Sequence, residues 1–495
     1  MPGATSMSRF LALAVSVFSI LACSVAQADV VLDWNGTIRN VMQQDGTHAV
    51  NKADPGWSTR AIAMMNTAIY DVFQSFNRTH QPWLVNTHAG PNTSLEAAVH
   101  HAAYTILNEC YAGESAMIQA DYNTRMGLIP SGVEKTNGIA LGTLIADACM
   151  IARDNDGSGS SVPYSPLAGP GKWRPDPWNP AQNVWGPEWG AVSTFGISDT
   201  ASMIAAIPAP PGLNSQAYTD AFNQVKDLGA LNSPSRTPEQ TEIGLFWGYD
   251  RASMGPPPVM FVNHLADIAA QAGNTEAENA RLFAMASVAQ ADAAIASWDA
   301  KFTNNFWRPV AGIQEAGVGG AGDADGNPDT IGDPDWRPLG APGNDHDDMN
   351  DDFTPPFPSW TSGHATMGGA VFKSLELFYG TNSFDAIDGI LGNDPDYVLT
   401  SEEEGGGGSR TFTSFTQVAP LAPGAEDSPE GENGMSRVYL GVHWIFDQTD
   451  GITLGRNIAE YVAANYFQAV PEPSAGALAC LTILSGALLR RRIAG

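Results

Sequence analysis

The chain has 495 residues, with 24 Lys and Arg against 53 Asp and Glu, a net charge of −29 at neutral pH. So negative a surface repels phosphate backbones and anionic headgroups, which excludes nucleic acid and peripheral membrane roles. A hydrophobic fraction of 43%, with 13 Trp and 20 Phe, excludes a disordered chain and a multi-span membrane protein alike. In chain order, residues 1–28 read as an export leader. Arg9 is followed by an apolar run from Phe10 to Ala22, and Ala26-Gln27-Ala28 forms a small-x-small cleavage site.

The body reads as all-α. From Arg60 to Phe76 the apolar residues Ile62, Met65, Ile69, Val72 and Phe73 recur at helical steps. Thr93 with Glu96 forms a capping box ahead of a helix from Ala97 to Leu107, and the helical pattern returns from Ile139 to Ile151. Residues 157–211, rich in Gly, Pro and Trp, read as a long structured connection. Thr237-Pro238-Glu239-Gln240 opens another helix, with proline at its first position. Thr275 with Glu278 caps the longest one, running through Val288, Ala291, Ile295 and Trp298 toward Phe306. Two more follow, one over Met367–Phe378 and one over Ile458–Phe467. No alternating strand pattern of useful length and no fixed repeat appears. The expected division is an N-terminal helical region over 29–210 and a C-terminal one over 211–469.

The chain ends in Val470-Pro471-Glu472-Pro473-Ser474, an apolar stretch from Ala475 to Leu489, and Arg490-Arg491-Arg492. That stretch falls short of the ~20 residues that span a bilayer comfortably. The order resembles the PEP-CTERM sorting tail of Gram-negative exporters. The resemblance implies transient membrane retention over residues 470–495, processing by an exosortase, and a mature protein in the periplasm, cell surface or extracellular matrix. Without Arg9, Arg490, Arg491, Arg492 and Glu472 the balance over 29–470 becomes 20 − 52 = −32. Of the four cysteines, only Cys110 and Cys149 lie in that stretch, and an oxidising compartment permits one disulfide between them.

Three cationic segments carry the chemistry. In the first, Lys301 and Arg308 are seven residues apart, so on a helix they share one face about 10 Å apart along the axis. Both can converge on an oxyanion, and Pro309 then stops the helix. The plain alternative is a solvated pair on a surface helix. In the second, a rigid run from Pro355 through Phe357 and Trp360 delivers Ser362-Gly363-His364 to a helix start. Free backbone N–H groups there favour an anion, Ser362 offers a hydroxyl, and His364 is a candidate acid or base; the alternative is an ordinary N-cap with an idle histidine. In the third, His443 and Asp447 are four apart, so the carboxylate can hold one ring nitrogen protonated and leave the other as nucleophile or metal ligand. Arg437 adds a bidentate donor. Each segment is weak alone; together they describe a tetrahedral-oxyanion site with a nitrogen in line.

Lys-x6-Arg-Pro at 301–309, Ser-Gly-His at 362–364 and Ser-Arg-x5-His-x3-Asp at 436–447 resemble the signature shared by vanadium-dependent haloperoxidases and type 2 phosphatidic acid phosphatases. Thr361 stands where that signature has proline. Trp298, Phe306-Trp307-Arg308-Pro309, the Phe357 turn, Val442-His443-Trp444, the Arg60–Phe76 helix with Ala68-Ile69-Tyr70-Asp71, and Arg236–Gln240 are similar to the haloperoxidase branch. The resemblance implies two four-helix bundles with the site in the second. It implies vanadate bonded to His443 Nε2, with Asp447 orienting the ring and Lys301, Arg308, Arg437, Ser362 and Gly363 holding its oxygens. His364 would serve as acid–base when hydrogen peroxide binds, and a peroxovanadate polarised by Lys301 would oxidise halide to hypohalous acid. Phe357 and Trp298 would line the halide pocket; the organic acceptor is not specified. Two alternatives use the same chain. One is a phosphatase forming a phosphohistidine at His443 while His364 protonates the leaving alcohol. The other is a non-catalytic matrix protein retaining an old site, suggested by the tail.

Residues 323–352 hold ten Asp and one Arg. Asp323, Asp325, Asn327 and Asp329 alternate as oxygen ligands do in calcium loops, but Pro334 stands where an EF-hand has its glutamate. A structural Ca²⁺ and a solvated acidic insertion both remain open readings.

Overall fold

A computed structural model describes residues 29–47, 55–249, 254–317, 325–341, 354–387, 396–403 and 408–471. The leader 1–28, residues 472–495 of the tail and Asp323 lie outside them. The described residues are mostly helical, as expected. Their α-helices are α1 (Val30–Thr47), α2 (Pro55–Asn77), α3 (Leu95–Cys110), α4 (Ser115–Leu128), α5 (Val133–Arg153), α6 (Thr200–Ala205) and α7 (Gln216–Leu228). After these come α8 (Pro238–Phe246), α9 (Pro258–Ala272), α10 (Glu276–Asn304), α11 (Pro309–Glu315), α12 (Gly363–Tyr379), α13 (Pro429–Tyr439) and α14 (Ile445–Asn465). One hairpin, β1 (Tyr397–Thr400) and β2 (Ser409–Phe412), pairs antiparallel; four-residue strands are too short to announce themselves by alternation.

Local signals set several boundaries. The Thr237–Gln240 and Thr275–Glu278 capping boxes form as read, with Pro238 at the first position of α8. For α3 the cap moves one residue: Ser94, not Thr93, accepts from Ala97 N at 3.1 Å. The serine oxygen sits at the position from which the first free N–H groups can be reached.

Two helical groups result. In the first, α3 packs on α2 and α5; in the second, α12 packs on α14, α10 and α13. The long α10 joins them, lying against α2 on one side and α12 on the other. The α12–α14 crossing depends on glycine. A Cβ at Gly455 would sit 2.0 Å from Thr366 O, and one at Gly369 would sit 2.6 Å from Ile452 O. The main apolar core is continuous from Val30 to Phe467 and includes both groups. Cys110 and Cys149 are both buried, and the Cys149 thiol donates to Met64 O at 3.7 Å. Burial pushes that thiol up to about 12.

Candidate active site

The three sequence segments meet at the ends of α10, α12, α13 and α14, although not quite as helical spacing suggests. Lys301 lies in the last turn of α10, which ends when Asn305 turns left-handed at φ 60°. Arg308 is therefore not on the same helix; it is the N-cap of α11, and Pro309 opens that helix rather than closing the previous one. His443 likewise precedes α14. Asp447, in the first turn, reaches back to accept from Trp444 N at 3.1 Å and from His443 Nδ1 at 2.8 Å. In both cases a tight turn brings together groups that a straight helix would hold at fixed spacing.

His443 is 2% exposed and its ring is fully defined by its neighbours. With Nδ1–H donated to Asp447, Nε2 carries the lone pair and accepts from Arg308 Nη1 at 2.9 Å. Burial, then Arg308, Lys301 and Arg437, hold this imidazole well below its usual range, so it is neutral and chemically able to act as a ligand. Burial pushes the Asp447 carboxyl up to about 7 against the hydrogen bond from Ser359 Oγ and the Lys301 charge. Arg308 also donates to Phe357 O at 2.9 Å and Val442 O at 2.8 Å, which fixes its plane.

Lys301 is wholly buried beneath the 354–361 segment. Its Nζ donates to Pro358 O and Ser359 O, both at 3.0 Å, and to Thr361 O. Burial and the nearby Arg308 push its amine well below the ordinary lysine range. An oxyanion beside it would reverse that shift.

Ser362 is the N-cap of α12, its Oγ accepting from Ala365 N at 3.4 Å, so the ordinary cap forms. A Cβ on Gly363 would lie 3.1 Å from the Trp298 ring, a tight contact that a larger residue could make only by displacing the ring a few tenths of an ångström. His364, one residue on, donates from Nε2 to Gly248 O at 3.0 Å. Burial first, then Arg437, keeps its ring neutral. The same Gly248 carbonyl accepts from Arg437 Nη1 at 3.4 Å. The Phe357 and Trp298 rings pack at a tilt of 49° with centroids 4.9 Å apart, and Lys301 Nζ sits 5.0 Å from the Phe357 centroid. Trp189, Val192 and Ile295 complete this aromatic wall.

Three contributors escaped the sequence reading. Ser359 donates to Asp447 and lies 3.3 Å from His443 Nδ1; Asn433 donates to His364 O at 2.9 Å; Gly248 gives only its carbonyl. Nothing in their spacing marks them. The acidic loop does not converge here. Asp325 accepts from Asn327 N and Thr330 Oγ1, while Asn327 donates to Leu213 O and Thr219 Oγ1. Asp325 is thus used within the loop and Asn327 ties the loop to residues 213 and 219, and no group of three His, Cys, Asp or Glu suited to a metal occurs among the described residues.

Residues 281–471 match the VCPO second helical-bundle domain, a range containing all three segments. Vanadium chloroperoxidase of Curvularia inaequalis is 30% identical, over 84% of this chain and 78% of that protein. The chain belongs to the vanadium haloperoxidase family. The vanadium haloperoxidase fold is seen again in a bacterial vanadium-dependent iodoperoxidase structure, 20% identical with a TM-score of 0.71, covering 89% of this chain and 98% of that one. An apo-type bacterial vanadium-dependent chloroperoxidase is 14% identical with a TM-score of 0.59, covering 84% and 94%.

Proposed function

We propose that this protein is a vanadate-dependent haloperoxidase that oxidises halide with hydrogen peroxide, H₂O₂ + X⁻ + H⁺ → HOX + H₂O. The observation that carries this reading is the neutral His443, locked by Asp447 with its Nε2 facing Arg308 in a buried cationic cluster. The donor set suits vanadate. One imidazole nitrogen is available as ligand, while Lys301, Arg308 and Arg437 surround it with three cations for oxygens. The start of α12 adds backbone N–H groups held close by Gly363. When bound, vanadate supplies a Lewis acid that activates peroxide without changing oxidation state.

The chain's own residues do the rest. Asp447 fixes the His443 tautomer, and Ser359 fixes Asp447. His364, with Nε2–H committed to Gly248, has Nδ1 as the base that takes a peroxide proton. Trp298 and Phe357 exclude water beside Lys301, where the halide would bind. Export through residues 1–28, exosortase processing of 470–495 and a division of the body near 210 belong to the same reading, supported by the sequence order of those segments.

The test incubates the protein with orthovanadate, removes the excess, and follows halogenation of a reporter with peroxide and chloride, bromide or iodide. Vanadate-dependent turnover that His443→Ala abolishes is expected. Hydrolysis of p-nitrophenyl phosphate without halogenation would move the protein to the phosphatase reading. Failure to bind either oxyanion would leave a matrix protein with a vestigial site.

A further inference from the structure

The Lys301 ammonium has three hydrogens, and three main-chain carbonyls take them: Pro358 O, Ser359 O and Thr361 O. The proposed function asks the same group to hold an oxyanion, so one carbonyl must be released when the anion binds. A buried carbonyl left without a donor opposes that release. Of the three, Thr361 O has a second donor in reach, the Ser297 hydroxyl at 3.4 Å. Ser297 lies one turn before Lys301 on α10, and both residues are wholly buried.

The Ser297 hydroxyl has a nearer acceptor, Thr361 Oγ1 at 3.0 Å. Which atom donates follows from the far end of the hydroxyl chain. Thr366 Oγ1 donates to Ser362 O at 2.7 Å, which uses its only hydrogen. Thr361 therefore donates across the 3.1 Å to Thr366, and Ser297 donates to Thr361. Gly451 of α14 packs directly over the chain: a Cβ there would lie 3.0 Å from Thr366 Oγ1 and 3.1 Å from Ser362 O. Proline at position 361, as in the family signature, would supply the carbonyl but no hydroxyl. We propose, on the reading that the site binds an oxyanion, that Ser297 is a positioning residue for Lys301. Its hydroxyl turns from Thr361 Oγ1 to Thr361 O as the lysine turns to the anion. The carbonyl keeps a donor throughout, and Lys301 can move without stranding it.

Equilibrium dialysis of the full chain against orthovanadate separates this role from a simple structural tie. Ser297→Ala leaves Thr361 O without a donor once Lys301 turns away, so vanadate should bind about tenfold more weakly. Thr361→Val removes the competing acceptor and leaves Ser297 aimed at the carbonyl, so affinity should hold or rise. Both variants cut the same Ser297–Thr361 hydroxyl pair, and a structural tie would weaken binding in both. Ser297→Ala that binds vanadate as tightly as wild type would overturn the proposal, as would a matching loss in Thr361→Val. Wild type that binds no vanadate would overturn the oxyanion reading, and this role for Ser297 with it.

Discussion

Two buried clusters in this molecule have nearly the same composition and opposite characters. Beneath α2 and α5, Arg60 Nε and Arg153 Nε converge on Asp156 Oδ2 at 2.7 and 2.8 Å. Their remaining nitrogens donate to the carbonyls of Arg153, Ser193 and Thr194, and Ser158 supplies Asp156 Oδ1. Burial alone would raise Asp156, but the Ser158 hydrogen bond, Arg60 and Arg153 outweigh it and hold the carboxyl below its usual range. In the active site, Lys301, Arg308 and Arg437 share the neighbourhood of Asp447, whose carboxyl rises to about 7 and whose hydrogen bonds go to His443, Ser359 and Trp444 rather than to a cation. The first cluster satisfies its ions internally and ties residues 156–194 to the helices. The second spends its aspartate on orienting an imidazole, the group that the proposed function makes the ligand of an oxyanion. Whether the carboxylate touches a cation or a histidine separates a structural staple from the proposed binding site.

That contrast can be broken from either side. Asp156→Asn should cost about 3 kcal/mol, toward the lower end for breaking a buried ion pair because the arginines keep three carbonyls. Urea unfolding would show it, while oxyanion binding stays unchanged. Asp447→Asn should do the reverse, lowering vanadate affinity about 10–100-fold with a small effect on stability, as measured by equilibrium dialysis. It also carries a pH signature. A carboxyl raised from 3.8 to about 7 on folding takes up its proton more readily in the native state, so it favours folding in acid and that contribution is lost as pH rises toward 7. Urea midpoints of Asp447→Asn should therefore vary less than wild type between pH 4 and 7.

A smaller effect is expected at His264. It is fully buried, neither ring nitrogen has a hydrogen-bond partner among the described residues, and it stacks on Phe246. Burial lowers it from 6.5 to about 3, so protonation of the unfolded chain drains stability as pH falls below 6.5. His264→Phe should add about 1 kcal/mol at neutral pH and reduce that acid sensitivity, read from the urea midpoint at pH 5 and 7.

What was legible in the sequence is what short-range chemistry controls. The capping boxes at Thr237 and Thr275 are decided within four residues, and the structure forms them where the pattern puts them. The cationic segments were visible because their side chains are rare in a chain this acidic, and the fold brings Lys301, Arg308, Ser362, His364, Arg437 and His443 to one place. Their geometry was not visible. Arg308 reaches His443 only because Asn305 ends α10 with a left-handed residue, and helical spacing takes no account of that turn. Gly248 was hidden for a deeper reason: a main-chain carbonyl is the same in every residue. Only the tertiary path decides that this one serves His364 and Arg437, 116 and 189 positions away. Ser359 was likewise one hydroxyl among many until the 354–361 segment folded over Lys301.

The unbroken apolar core has an outcome for the lifetime of the molecule. Because packing runs from Val31 through α3 to Val462 without an interruption, opening of the early helices exposes apolar surface shared with the rest of the chain. An oxyanion held at His443 then acts as a fastener for the whole chain. A hundredfold excess over its dissociation constant is worth about 2.7 kcal/mol, and that protection extends to protease sites far from the anion. Cofactor loading would thus be readable as resistance to digestion in α3, a helix that never meets the cofactor.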